Sequence, residues 1–217
     1  MKKIIVLLSA MLITLSVTAQ VDVKFGVKAG LNVSQLGSGT YEYGDHSGDI
    51  DATEMLLGFH VGGFANFNLG PYVGLQPELV FSLQGGKESE NDETATWSLG
   101  FINVPVLLDI KPIPNLSVFV GPQIGFNVYK SLSNGDESYS GSELDDLLSE
   151  GRTKLNAVDV AAVVGVQYTF IEHLTVGVRY NFGFTPSRGV TDEGKDAGQS
   201  ISGCSHRVIQ LSVGWLF

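Results

Sequence analysis

The period of the apolar side chains constrains this chain more than any other feature. Eight segments alternate apolar and polar residues with a period of two, the mark of a strand whose two faces meet different surroundings. They are read at 24–33, 57–67, 73–84, 97–110, 116–129, 157–170, 174–184 and 208–217. In the seventh, Val176, Val178, Tyr180, Phe182 and Phe184 face one way, and Thr175, Gly177, Arg179, Asn181 and Gly183 the other. In the eighth, Ile209, Leu211, Val213, Trp215 and Phe217 oppose Gln210, Ser212 and Gly214. Each segment is about 10 residues or longer, enough to cross a bilayer when tilted.

The front of the chain bears on where such strands would live. Lys2 and Lys3 precede an apolar run, Ile4 to Leu15, and small residues follow at Val17-Thr18-Ala19. This order predicts a secretory signal peptide at 1–19, leaving 20–217 as one barrel domain. The run is too short for a membrane helix and is interrupted by Ser9 and Thr14. Cys204 is the single cysteine, so no disulfide can form within the chain. The formal net charge is −10 and becomes more negative without Lys2 and Lys3, which argues against nucleic acid as a partner. No later stretch reaches the length of a membrane helix, so entry into a membrane would be by strands.

The connections alternate in length. Short ones at 68–71, 111–115 and 171–173 take turns with long ones at 34–55, 85–95, 130–156 and 185–205. Short turns at one rim and long loops at the other are a habit of outer-membrane barrels. Of the 23 acidic residues, 18 fall in the four long connections. The apolar faces carry almost no ionisable group, Arg207 near the outer end of the eighth strand being the exception. The fold expected is all-β: an eight-stranded, antiparallel, up-and-down transmembrane β-barrel with short periplasmic turns and long extracellular loops. Its polar faces are rich in Gly, Asn, Gln and Ser, which suits a crowded lumen.

The stretches GVKAGLN at 26–32, GLQPELVFS at 74–82, INVPVLLDI at 102–110 and VGVRYNFGF at 176–184, with the aromatic at 217, resemble the PorT-like outer-membrane β-barrel family. The resemblance spans the chain after the signal peptide. It implies a small barrel in the outer membrane of a Gram-negative bacterium, inserted by the barrel-assembly machinery. It also implies that Trp215 and Phe217 belong to the insertion signal that this machinery reads. It assigns no chemistry, since the family is defined by location and architecture.

The inward polar residues are the candidate site: Lys28, Gln76, Glu78, Asn103, Gln123, Asp159, Gln167, Arg179 and Gln210, joined by His60 and Asn181. Buried charges must be paired, so Glu78 is expected to meet Arg179 or Lys28 and to plug the bore. A narrow porin-like path for ions or small solutes is the alternative. Asp49 and Asp51 are spaced as in a calcium loop but lack its glycine and distal glutamate, so no metal site is assigned. The run 140–151 predicts a helix, with Ser142 and Asp145 as a capping box, Leu144, Leu147 and Leu148 on one face, and Gly151 at its end, folded over the barrel mouth.

A barrel enzyme acting on lipid or peptide is the competing class. Ser205 and His206 point to opposite faces and cannot serve each other as nucleophile and base. His46 with Asp45, Asp49, Asp192 or Glu193 is the other combination, and no catalytic residue or cofactor is assigned. The expected partners are outer-membrane lipids, the assembly machinery, and an extracellular or secretion-system protein meeting the acidic loops.

Overall fold

Eight long strands dominate the computed structural model, which describes residues 22–44, 46–90, 93–134, 137–150, 153–196 and 198–217. They are β1 (Asp22–Leu36), β2 (Leu56–Asn68), β3 (Val73–Glu90), β4 (Glu93–Ile113), β5 (Leu116–Asn134), β6 (Val158–Phe170), β7 (Leu174–Pro186) and β8 (Ser205–Leu216). Each pairs antiparallel with its neighbour in sequence, and β8 returns to β1 with Lys28 opposite Gly214 and Asn32 opposite Gln210. The ring is therefore closed, as a sheet in hydrocarbon must be if its backbone groups are to be satisfied. The proposed signal peptide lies outside the described residues.

The alternation sorts as expected. Phe25, Val27 and Leu31 on β1 and Ile209, Leu211 and Val213 on β8 point outward and are exposed, and every other strand repeats the pattern. An apolar belt of this extent is stable only against lipid. The inner face differs from the expectation in one respect. Phe64, Val80, Leu107, Phe119 and Val163 also turn inward and are buried, and Leu107, Phe119 and Val163 form one cluster. Space for such side chains comes from glycine: a Cβ on Gly26 would stand 2.4 Å from the Phe64 ring.

The turns at 69–72, 114–115 and 171–173 are short, and Asp22 and Phe217 reach the same rim. The long connections are not the irregular loops expected. β3 and β4 continue their ladder outward until Glu90 faces Glu93. Gly39–Tyr43 and His46–Ile50 form a hairpin, whose first strand also pairs with Gln199–Gly203. Arg188–Val190 pairs with Thr153–Leu155, and Glu137–Ser140 extends the outer end of β5. Glu54 bridges Lys87, tying the first connection to the second. Aromatic and β-branched residues in these segments suit pairing that only the tertiary structure supplies.

The predicted helix is present at Ser142–Glu150 but is set differently. Its first hydrogen bond runs from Asp145 N to Gly141 O, 3.3 Å, so Gly141 holds the capping place and Ser142 is already helical. Leu144 is buried, Leu148 half-buried, and Leu147 turns out to solvent. The helix packs against Thr153–Leu155 and the β5 extension at the outer end of the barrel. Gly151 lies outside the described residues.

Candidate functional site in the barrel lumen

β3 and β7 lie on opposite walls of the eight-strand ring. Glu78 on β3 and Arg179 on β7 meet across the bore, with Arg179 Nη1 donating to Oε1 at 2.7 Å and Oε2 at 2.8 Å. Lys28 on β1 donates to the same carboxylate, and Gln76 Nε2 adds a bond to Oε1 at 2.8 Å. The guanidinium lies over the Phe119 ring of β5, 4.7 Å from its centre. The four odd-numbered strands thus all contribute to a single crossing layer. The sequence left Lys28 and Arg179 as alternatives for Glu78; both are used.

Two further networks flank this layer. On the side of the short turns, Asn66 Nδ2 donates to Gln76 Oε1 at 2.9 Å and to Asp109 Oδ2 at 2.7 Å. Lys111 contacts Asp109 at 3.4 Å and donates to Asn68, which donates to Asp22 Oδ2 at 2.9 Å. A polar chain therefore runs from the central carboxylate to the rim. It borders a vestibule of about 440 Å³ that also touches Lys24, Gln167 and His173.

The second network joins β1, β2, β3 and β8. Asn32 Nδ2 donates to Ser82 Oγ at 2.8 Å, while its Oδ1 faces His60 Nδ1 at 2.7 Å and accepts from Gln210 Nε2 at 3.2 Å. His60 Nε2 lies 2.9 Å from Ser212 Oγ. With Asn32 Oδ1 as acceptor, the proton of neutral His60 belongs on Nδ1, and Nε2 accepts from the Ser212 hydroxyl. Nearer the outward end a second crossing occurs, this time between even-numbered strands. Phe101 of β4 meets His206 of β8 edge to face, 5.0 Å between ring centres.

Every predicted lumen residue is buried and faces inward, but they fall into separate groups. Lys28, Gln76, Glu78 and Arg179 form the centre, and Gln210 joins Asn32 and His60. Asn103 and Asp159 flank Gly125 from the two neighbouring strands, apart from that centre. Gln123 lines the wall between, and Gln167 stands at the vestibule. The chief partners that the candidate list lacked are Asn32, Asn66, Ser82, Asp109 and Ser212. The signal that could have found them is the small polar residue at an inward position.

Trp215 and Phe217 point outward at the turn rim, 48% and 72% exposed. Trp215 stacks on His173 at 5.4 Å, and the Phe217 amide donates to Phe25 O at 2.8 Å. Asp49 lies in a strand of the outer hairpin and not in a calcium-type loop. His206 is packed on Phe101 inside the bore while Ser205, the next residue along the strand, faces the other way. His46 is exposed on the hairpin, and Asp45 is outside the described residues. Among the described residues no three His, Cys, Asp or Glu side chains gather as a metal centre.

A family model described as "Outer membrane protein beta-barrel domain" matches residues 18–189. No curated protein sequence matches the chain. Among solved structures, Ail, the attachment invasion locus protein of Yersinia pestis in complex with the heparin analogue sucrose octasulfate, is 12% identical. That alignment covers 90% of this chain and 99% of Ail, with a TM-score of 0.46. Neisserial surface protein A is 14% identical over 88% of this chain and 95% of its own, at 0.47. OprG of Pseudomonas aeruginosa is 11% identical over 89% and 95%, at 0.41.

Proposed function

The chain belongs to the outer membrane protein beta-barrel domain family, and from that premise we propose that it is a non-catalytic surface barrel whose bore is shut by its own side chains. The observation that carries this reading is the Lys28–Glu78–Arg179 layer, which spans the lumen from wall to wall. An eight-stranded bore is only wide enough for side chains to fill it, and here they do. A passage for solutes would have to break a buried carboxylate away from two cations.

What remains for function is the outward end. The four long connections hold 18 acidic residues against six Lys and Arg, and short strands knit them into an ordered platform. We place this platform outside the cell and the short turns in the periplasm. A surface of that charge attracts a basic protein partner and repels acidic ones. Outer-membrane lipids cover the belt, and the barrel-assembly machinery meets the strand that ends on Trp215 and Phe217.

One observation favours a pore as the second reading: the vestibule at the turn rim opens toward the bore before the polar chain closes it. Conductance of the purified barrel in planar bilayers separates the two. The expected record has no steady open level. Steady steps whose size changes on Glu78→Gln or Arg179→Gln would overturn the closed reading in favour of the pore.

A further inference from the structure

The central and turn-side charges of the lumen have partners; one outer charge does not. Asp109 and Arg179 each leave one atom unbonded, but both hold an ion-pair partner. Asp159, only 8% exposed, has no ion pair among the described residues, and its buried Oδ1 has no hydrogen-bond partner there. Asn103, 2% exposed, has both amide atoms unbonded.

These two groups flank one glycine. Asn103 sits beside Gly125 on β4, and Asp159 beside the same glycine on β6. A Cβ on Gly125 would lie 2.5 Å from Asn103 Oδ1, 3.5 Å from Asp159 Cβ and 3.4 Å from Phe101 Cδ1. The missing side chain leaves room over β5 between the Asn103 amide oxygen and the base of the Asp159 side chain. Phe101, edge-on to His206, lies against the same glycine.

We propose that Asp159 and Asn103 form a binding site for a hard, oxygen-seeking cation in the outer half of the lumen. A carboxylate oxygen withdrawn from water needs a compensating partner, and among the described residues no Lys or Arg lies within ion-pair distance of it. Carboxylate and amide oxygens are the donors that Ca²⁺, Mg²⁺ and alkali ions prefer. Asp159 is the second residue of β6, next to the mouth, and the acidic platform around that mouth concentrates cations at its entrance. The Lys28–Glu78–Arg179 layer carries an excess positive charge and bars the cation from passing further in. The inference is independent of whether the platform binds a protein.

The test is a cation titration of the ¹⁵N-labelled, folded barrel in zwitterionic micelles, following the Asn103 side-chain amide. Ca²⁺, Mg²⁺ and K⁺ are added in turn, with choline chloride holding the ionic strength. At least one should shift the Asn103 signal saturably. The shift should survive Asp49→Asn with Asp51→Asn, which alters only the outer hairpin region, and vanish in Asp159→Asn. An Asn103 amide that none of the three ions moves, or that moves equally in Asp159→Asn, overturns the site. If Asp159→Asn yields no heat-modifiable barrel, Gly125→Ala replaces it. The added methyl crowds Asn103 Oδ1, and an unchanged titration there would equally overturn the proposal.

Discussion

Arg179 reaches across the whole bore to Glu78, two hydrogen bonds of 2.7 and 2.8 Å joining strands on opposite walls. Lys28 closes on the same carboxylate from a third strand. The anion is thus shared, and the three charges are unequal in consequence. Glu78→Gln leaves two buried cations facing a neutral amide, and breaking a buried pair in this way costs about 3–5 kcal/mol. Lys28→Met removes a cation but leaves the bidentate Arg179 bond in place, so its cost should be clearly smaller. Urea midpoints of the folded barrel in micelles measure both. Lys28→Met proving the more damaging change would contradict the shared-anion arrangement.

Gly26 and Phe64 supply a steric prediction. Their contact requires a bare Cα, since a Cβ would be 2.4 Å from the ring edge. Gly26→Ala should destabilise by about 1–3 kcal/mol, the usual cost of overpacking. Phe64→Leu in the same chain should recover much of that loss, a non-additivity expected only for residues in contact. Gly70, with nothing within 4 Å of its ideal Cβ, is the control: Gly70→Ala should change stability by less than about 0.5 kcal/mol. Additive costs at Gly26 and Phe64 would show that they do not meet as described.

How far the sequence could be read depends on whether a feature is local. Strand faces were legible wherever one polar residue separates apolar ones, as in Val176 to Phe184, and Glu78 with Arg179 was legible because both are charges at inward positions. Leu107 and Val163 share the parity of Asn103 and Gln167, so alternation turns them inward; it was the expectation of a polar lumen that left them out. The outer strands were missed for a topological reason. Gly39–Tyr43 finds one of its partners at Gln199–Gly203, and no local pattern announces a pairing across most of the chain. Asn103 and Asp159 were each recognised as lumen residues, but that they flank one glycine follows only from the register of the strand between them.

The His60 node tests whether neutral hydrogen bonds matter as much as ion pairs in this lumen. His60 bridges Asn32 and Ser212, and both bonds use ring nitrogens. His60→Leu keeps the bulk but strands two buried polar groups, each carrying a desolvation penalty of about 1–3 kcal/mol. Adding Ser212→Ala removes one orphaned group without touching Asn32, which also bonds Ser82 and Gln210, and the double change should cost less than its two single changes added. Heat-modifiable mobility on gels, read across temperature, gives the order. A double variant that loses the full sum would refute the bridging role.

Trp215 and Phe217 separate folding from delivery. The strand that carries them closes the ring, with Trp215 opposite Val27 on one side and Leu174 on the other. Both side chains point to lipid at the turn rim, and neither takes part in the hydrogen bonds described for the lumen networks, so a change there leaves those bonds in place. At the interface a single charged substitution costs only about 0–1 kcal/mol, too little to unfold the barrel. If the pair is nonetheless read during insertion, Phe217→Glu should lower the amount of folded protein in the outer membrane several-fold. The same variant, refolded from urea into micelles, should match the unaltered barrel in yield and in heat-modifiable mobility. Equal amounts in the membrane would dismiss the insertion role. An equal deficit in cells and in micelles would assign the residue to stability alone.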